Sequence, residues 1–166
     1  MFCREAVSFP TVLDSMSNDS KSVGTPQIRV RNLQRIVPVN IVDLERFAAK
    51  AVRSCLQVRK NEATNLKKLA EIFILFISDR RMASLHRKFL NQSGPTDVLT
   101  FQHGEIFISP ETARRNARAF RNSLQHELEL YIVHGLLHLH GFDDRSESGV
   151  RKMEAMQKRI LGQATL

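Results

Sequence analysis

From position 134 the chain reads His134-Gly135-Leu136-Leu137-His138-Leu139-His140-Gly141-Phe142-Asp143-Asp144, three imidazoles and two carboxylates in a stretch otherwise apolar or glycine. Imidazole nitrogens and carboxylate oxygens hold zinc and other divalent transition metals, and a catalytic zinc keeps three protein ligands and one open position. Residues four apart lie on one face of a helix, so a helical segment up to His138 would aim His134 and His138 at one point. Gly141 can end that helix in the left-handed conformation, and a chain reversed there carries Asp143 or Asp144 back toward the two rings. His140, only two residues from His138, points off the shared face and reads as a supporting or surface group. Burying this much polarity without a ligand would be costly, so the pattern points to a metallohydrolase site at a helix C-terminus. Gly135 stands where a zincin carries glutamate, which argues against HExxH peptidase chemistry.

The elements that must position these residues follow from apolar spacing. Residues 27–31 alternate as a half-buried strand, and from Asn40 onward Leu44, Phe47, Ala48, Ala51 and Cys55 recur at helical spacing. Residues 69–77 are almost continuously apolar and read as a central strand covered on both faces. A short helix is expected over 82–90, a turn at Gly94-Pro95, and two strands, 96–101 and 105–108, joined around His103-Gly104 as a hairpin. Ser109-Pro110 is a helix start leading to about Phe120. A second start near Asn122, with Gln125 three residues on, opens the helix that carries the histidines. A last helix over 146–161 turns Val150, Met153 and Ile160 inward. The expected fold class is α+β, a single domain with a small mixed sheet of about four strands packed with about five helices. Residues 1–26 mix Ser, Asp, Asn, Pro and Gly without apolar periodicity and read as a flexible extension, leaving 27–166 as the domain.

With 166 residues and 42% hydrophobic content the chain can bury one substantial core. Twenty-five basic against 17 acidic residues give a formal charge of +8, which favours polyanionic partners. On the helix from Pro110, Arg114, Arg118 and Arg121 share one stripe while Ala113, Ala117 and Phe120 form another. Such a basic ridge can track successive phosphates without reading sequence. Cys3 and Cys55 make no disulfide framework and fit a reducing compartment, with Cys55 on a core face. No apolar run reaches the roughly 18 residues that span a bilayer and no signal-peptide core is present, so a soluble cytoplasmic protein is expected.

Three blocks carry a resemblance. The His134 to Asp144 stretch resembles the H-G-x-L-H-L-x-G-[YF]-D-H signature of the YbeY family, bacterial metal-dependent endoribonucleases of ribosomal RNA maturation. Pro95-Thr96-Asp97-Val98-Leu99-Thr100-Phe101 resembles the family's P-T-D-V-L-S-F strand, and Gly104-Glu105-Ile106-Phe107-Ile108-Ser109 its G-D-I-x-I-S strand. The similarity runs from about Gln27 to Leu161. Where the family has its third histidine ligand this chain has Asp144, so the resemblance implies a site of His134, His138 and Asp144, with Asp143 and His140 in support. One Zn2+ per chain is expected; two histidines and a carboxylate also suit iron, manganese or nickel. The added negative charge weakens the metal as a Lewis acid. An arginine the family places before P-T-D stands here as Leu90, with Arg87 one helical turn earlier as its substitute.

The resemblance implies a single-strand-directed endoribonuclease acting in ribosomal RNA processing and ribosome quality control, with ribosomal RNA and small-subunit ribosomal proteins as partners. Arg87 and Glu105 are the expected catalytic residues. Glu105, Asp97 and Asp143 are the carboxylates that could approach as general base, although Asp143 could instead orient a ligand imidazole. Two other readings compete: a non-catalytic RNA- or ribosome-binding assembly factor with a structural metal, and a metallohydrolase of peptides or small molecules.

Overall fold

The computed structural model describes the backbone of residues 5–7, and residues 24–59 and 64–165 in full. Its strands are β1 (Glu5–Val7), β2 (Gln27–Asn32), β3 (Glu71–Phe76), β4 (Val98–Phe101) and β5 (Glu105–Ile108). Its helices are α1 (Ile41–Gln57), α2 (Asn65–Lys68), α3 (Asp79–Leu90), α4 (Pro110–Phe120), α5 (Leu124–Leu139) and α6 (Glu147–Thr165). The strands form one mixed sheet in the order β1-β4-β5-β3-β2. β2, β3 and β5 run parallel, β4 returns antiparallel to β5, and β1 lies parallel to β4 at the edge.

The α+β architecture, the four expected strands and the five expected helices are all present. Two short elements were not anticipated. α2 is a single turn, and β1 falls within the stretch read as an extension; three residues carry too little periodicity to announce a strand. The rest of that stretch up to residue 23, Cys3 included, lies outside the described residues.

Side-chain caps set the helix starts. Asn40 accepts a bond from the Asp43 backbone N–H at 3.3 Å, and α1 then buries Leu44, Phe47, Ala48, Ala51, Val52 and Cys55 along one stripe. Ser78 caps α3 and brings its start three residues ahead of Met82. Ser109 caps α4 with Pro110 in its first turn, as expected. At α5 the cap is Ser123 rather than Asn122, its hydroxyl accepting from the His126 N–H at 3.0 Å; Asn122 instead donates its amide to Glu127 Oε1 at 2.8 Å.

Ile72, Ile74 and Phe76 of β3 are fully buried, while Phe73 and Leu75 are only half-buried. The strand is therefore tightly covered on one face, not on both. The covered face belongs to the main core, where Ile106 and Ile108 of β5 meet α1, α5 and α6. Leu99 and Phe101 of β4 point the other way and pack with Met82, Leu85 and Phe89 of α3. In α6, Met153 and Ile160 are in the core as expected, but Val150 is 38% exposed; the inward positions continue instead through Gln157 and Ala164.

α5 is the central helix. Leu128, Tyr131, Ile132, Val133, Leu136, Leu137 and Leu139 are all buried on it, the pattern of a helix enclosed on every side. Its neighbours are α1, α4, α6 and the sheet. The approach to the sheet is closest at Gly135, where a Cβ would stand 2.7 Å from Ile106 Cγ2 and 3.1 Å from Thr100 Oγ1. Only glycine fits there without shifting the Ile106 side chain, so the residue that argued against peptidase chemistry is one the packing favours. Among the described residues no helix is long and apolar enough to cross a membrane.

Candidate metal centre

α5 ends in a geometry that determines the site. His140 is the last residue before the chain turns, and Gly141 follows at φ +80°. The Gly141 N–H bonds the His138 carbonyl at 3.0 Å and the Phe142 N–H bonds the Leu137 carbonyl at 2.9 Å, the paired bonds of a Schellman cap. Phe142 then packs against the main core. The reversal expected from Gly141 is thus made by backbone bonds and sealed by an apolar contact.

Its product is a convergence of ligand atoms. One each from His134, His138 and Asp144 lie within 4.8 Å of one another. His134 Nε2 and His138 Nε2 stand 2.8 Å apart, with Asp144 Oδ2 at 3.5 Å from the first and Oδ1 at 3.7 Å from the second. Both imidazoles are almost wholly buried, and Asp144, with 12% of its side chain exposed, forms the lip toward solvent.

The opposite ring nitrogens fix the tautomers. His138 Nδ1 lies 3.1 Å from the Phe142 carbonyl, which can only accept, so Nδ1 carries the proton. His134 Nδ1 lies 2.6 Å from Gln157 Oε1 and donates to it in the same way. In their neutral forms both rings then turn a lone pair from Nε2 into a space they share with a carboxylate. Lone pairs facing each other at hydrogen-bond distance repel unless a cation or a shared proton lies among them, and the donor set of two imidazoles and one carboxylate suits zinc and its neighbours in the transition series. The residues present fit a metal. Gln157 went unnoticed in the sequence because it lies 23 positions from its partner on another helix; the one signal was a polar residue on the inward stripe of α6.

The other expected site residues sit elsewhere. His140 is fully buried, with Nδ1 3.0 Å from Thr64 Oγ1 and Nε2 2.9 Å from the Val58 carbonyl. Its ring joins Val58, at the end of α1, to Thr64, just before α2, rather than supporting a ligand. Asp143 does not orient an imidazole; its carboxylate is engaged by Arg145. Those bonds hold it below the usual carboxylate range against a smaller opposing effect of burial, and the Arg145 charge adds to the lowering. Glu105 projects from the sheet face opposite Ile106, the residue that meets α5, and pairs with His103 at 2.9 Å. Asp97 is buried, accepting from Thr96 Oγ1 and the Val98 N–H, and its charge is felt at Tyr131, whose hydroxyl burial pushes far up. Arg87 is exposed near the end of α3. Arg114 is half-buried while Arg118 and Arg121 are exposed, the last closing α4 at φ +58°. The structure therefore brings together His134, His138 and Asp144, and does not bring Arg87 or Glu105 to them.

Comparison with known proteins matches residues 31–165 to the family described as Endoribonuclease YbeY. The chain is similar to the endoribonuclease YbeY of Chlamydia pneumoniae, 32% identical over 81% of this chain and 89% of that protein. It is also similar to that of Acidothermus cellulolyticus, 36% identical over 56% of this chain and 70% of that protein. A solution structure of a protein from Thermotoga maritima shares its fold with a TM-score of 0.55 and 26% identity, covering 82% of this chain and 88% of that one.

Proposed function

The chain belongs to the endoribonuclease YbeY family, and from that premise we propose that it hydrolyses phosphodiester bonds of single-stranded RNA at a metal held by His134, His138 and Asp144. Its substrate in the cell is ribosomal RNA under maturation, its surroundings the cytoplasm, and its metal zinc, one per chain. The observation that carries this reading is the pair of buried imidazole Nε2 atoms turned on each other 2.8 Å apart beside the partly exposed Asp144 carboxylate.

When bound, the metal supplies Lewis-acid polarisation of a phosphoryl oxygen and a lowered pKa for water at neutral pH. The protein's residues do the rest. His134 and His138 present neutral nitrogens because Gln157 and the Phe142 carbonyl hold the opposite protons. Asp144 contributes one oxygen and keeps a second at the lip, where it can accept a proton from an attacking water. The apolar sides of α5 exclude bulk solvent from the inner wall and so strengthen each electrostatic contact. Arg114 and Arg118, four apart on α4, and Arg121 at its C-cap bind backbone phosphates.

The test is cleavage of a labelled single-stranded RNA by the purified chain with zinc, with a chelator, and by His138→Ala. Cleavage that requires metal and falls to background in the variant is expected. Cleavage indifferent to chelator, or retained in His138→Ala, overturns the assignment. Tight binding without cleavage under every divalent transition metal would transfer the site to an assembly factor.

A further inference from the structure

The residue after Asp144 is Arg145, 87% exposed in its side chain yet held in one orientation. Its Nε donates to Asp143 Oδ1 and Oδ2 at 3.0 and 2.8 Å, and its Nη2 lies 2.7 Å from Oδ2. Its backbone N–H also donates to Asp143 Oδ1 at 3.0 Å. This is a side-on pair. A guanidinium carries five N–H donors in a rigid plane, and the side-on contact takes up the Nε edge, leaving the outer edge of Nη1 and the second Nη2 hydrogen turned away from Asp143. That outer edge is the fork that matches two oxygens of a phosphate.

Stability does not account for the arrangement, because an ion pair this exposed contributes little to folding. Its location is more telling. Asp144 is the solvent-facing member of the group it forms with His134 and His138, so the pair stands next to it along the chain, on the solvent side of the two buried imidazoles. The Asp144 carboxylate acts electrostatically on Arg145.

We infer that Arg145, held side-on by Asp143, grips a substrate phosphate beside the His134, His138 and Asp144 group, and that Asp143 is the residue that positions it. The inference rests on the RNA hydrolase reading for the identity of the phosphate, and not for the presence of an anion grip. It also gives Asp143 a role that orienting a ligand imidazole would not: the two aspartates divide the work, Asp144 facing inward to the histidines and Asp143 outward to the arginine.

The experiment uses the full chain and a 2′-O-methyl RNA oligonucleotide, its intactness checked on a gel after each titration, with fluorescence anisotropy across a salt series. Arg145→Gln should weaken binding about tenfold and reduce the salt slope by roughly 0.7, the value for one phosphate contact on a single strand. Arg145→Lys should recover the slope but not the full affinity, because it keeps the charge and loses the fork. Metal content by elemental analysis should equal wild type in both. Unchanged affinity and slope in Arg145→Gln overturn the inference, as does a wild type that does not bind the oligonucleotide. Cleavage of ordinary RNA is read in parallel. A wild type that binds through Arg145 but cleaves nothing refutes the hydrolase reading and leaves the grip standing; cleavage with KM and kcat unchanged in Arg145→Gln refutes the grip alone. Asp143→Asn separates positioning from simple neutralisation. Although it removes a negative charge, it should lower kcat/KM, and a rise would show that the carboxylate merely quenches the cation.

Discussion

At the scale of single residues, the ligand set makes sharply different demands on neighbours in the sequence. Asp144→Ala removes an oxygen from the convergent group, whereas His140→Ala removes a ring whose partners are Thr64 and Val58. Elemental analysis should find the metal lost in the first and kept at about one per chain in the second. His140→Ala should instead cost roughly 2 kcal/mol in a denaturant titration, since it strands a buried hydroxyl and a carbonyl; loss of metal from that variant would return it to the ligand set. Gln157→Leu should lower metal affinity by about 10- to 100-fold in chelator competition, with Gln157→Glu retaining it, because only an acceptor at that place fixes the His134 tautomer. Affinity unmoved by the leucine would make the 2.6 Å contact incidental. The histidine pair was legible because helical periodicity alone brings residues four apart together. Gln157 was not, because nothing local links α6 to α5.

At the scale of elements, two contacts fix how neighbouring elements meet. Gly135 lets α5 approach the sheet, and Gly135→Ala would drive a methyl into Ile106. The expected loss is about 1–3 kcal/mol, as for other overpacked cores. Coupling to Ile106→Ala should make the double variant more stable than the sum of the singles; strict additivity would mean the crowding is relieved elsewhere. The second contact joins the N-termini of α3 and α4. Asp79 accepts bonds from Ser109, Thr112 and Arg115, while its own N–H donates to Glu111 at 2.8 Å. Burial raises the Asp79 pKa, but the bonds from Arg115, Ser109 and Thr112 outweigh it and leave the carboxyl below its ordinary 3.8. A folded pKa below the unfolded one gives stability that is present above the unfolded value and lost as pH falls from it through the lower folded value. Asp79→Asn should therefore be less stable than wild type by about 1 kcal/mol near neutrality, with urea midpoints that converge as pH drops below 3.8. A gap independent of pH would show that the charge contributes nothing. The caps at Ser109 and Gly141 were readable from their own residues. The clasp was not, since its halves lie some thirty positions apart.

At the scale of the whole molecule, the formal charge of +8 acts through its distribution. Exposed or half-exposed arginines on α4 and exposed Arg145 beside Asp144 would make RNA association strongly salt-dependent. Replacing Arg114, Arg118 and Arg121 together by glutamine should lower the salt slope for single-stranded RNA by about 2, three contacts at roughly 0.7 each, with metal content unaffected. A slope equal to wild type would assign the ridge to solvation alone. Enclosure of α5 by α1, α4, α6 and the sheet is the molecular-scale counterpart of this exterior: one helix carries His134 and His138 into an apolar interior, and exposed Arg145 follows just beyond its end.

By itself the sequence determined what local physics can determine. Periodicity of two and of 3.6 set the strands and long helices, caps and glycine set their ends, and spacing by four put His134 and His138 on one face. The order of its motifs pointed to the family. Tertiary structure alone decided which of the neighbouring polar groups serve the site. His140 faces Thr64 and Val58, and Gln157 arrives from α6 to meet His134, because both depend on how the chain turns at Gly141 and how closely α5 packs on its neighbours. Those are distances between elements remote in sequence, set by packing that must satisfy all of them at once, and no window of neighbouring residues contains them.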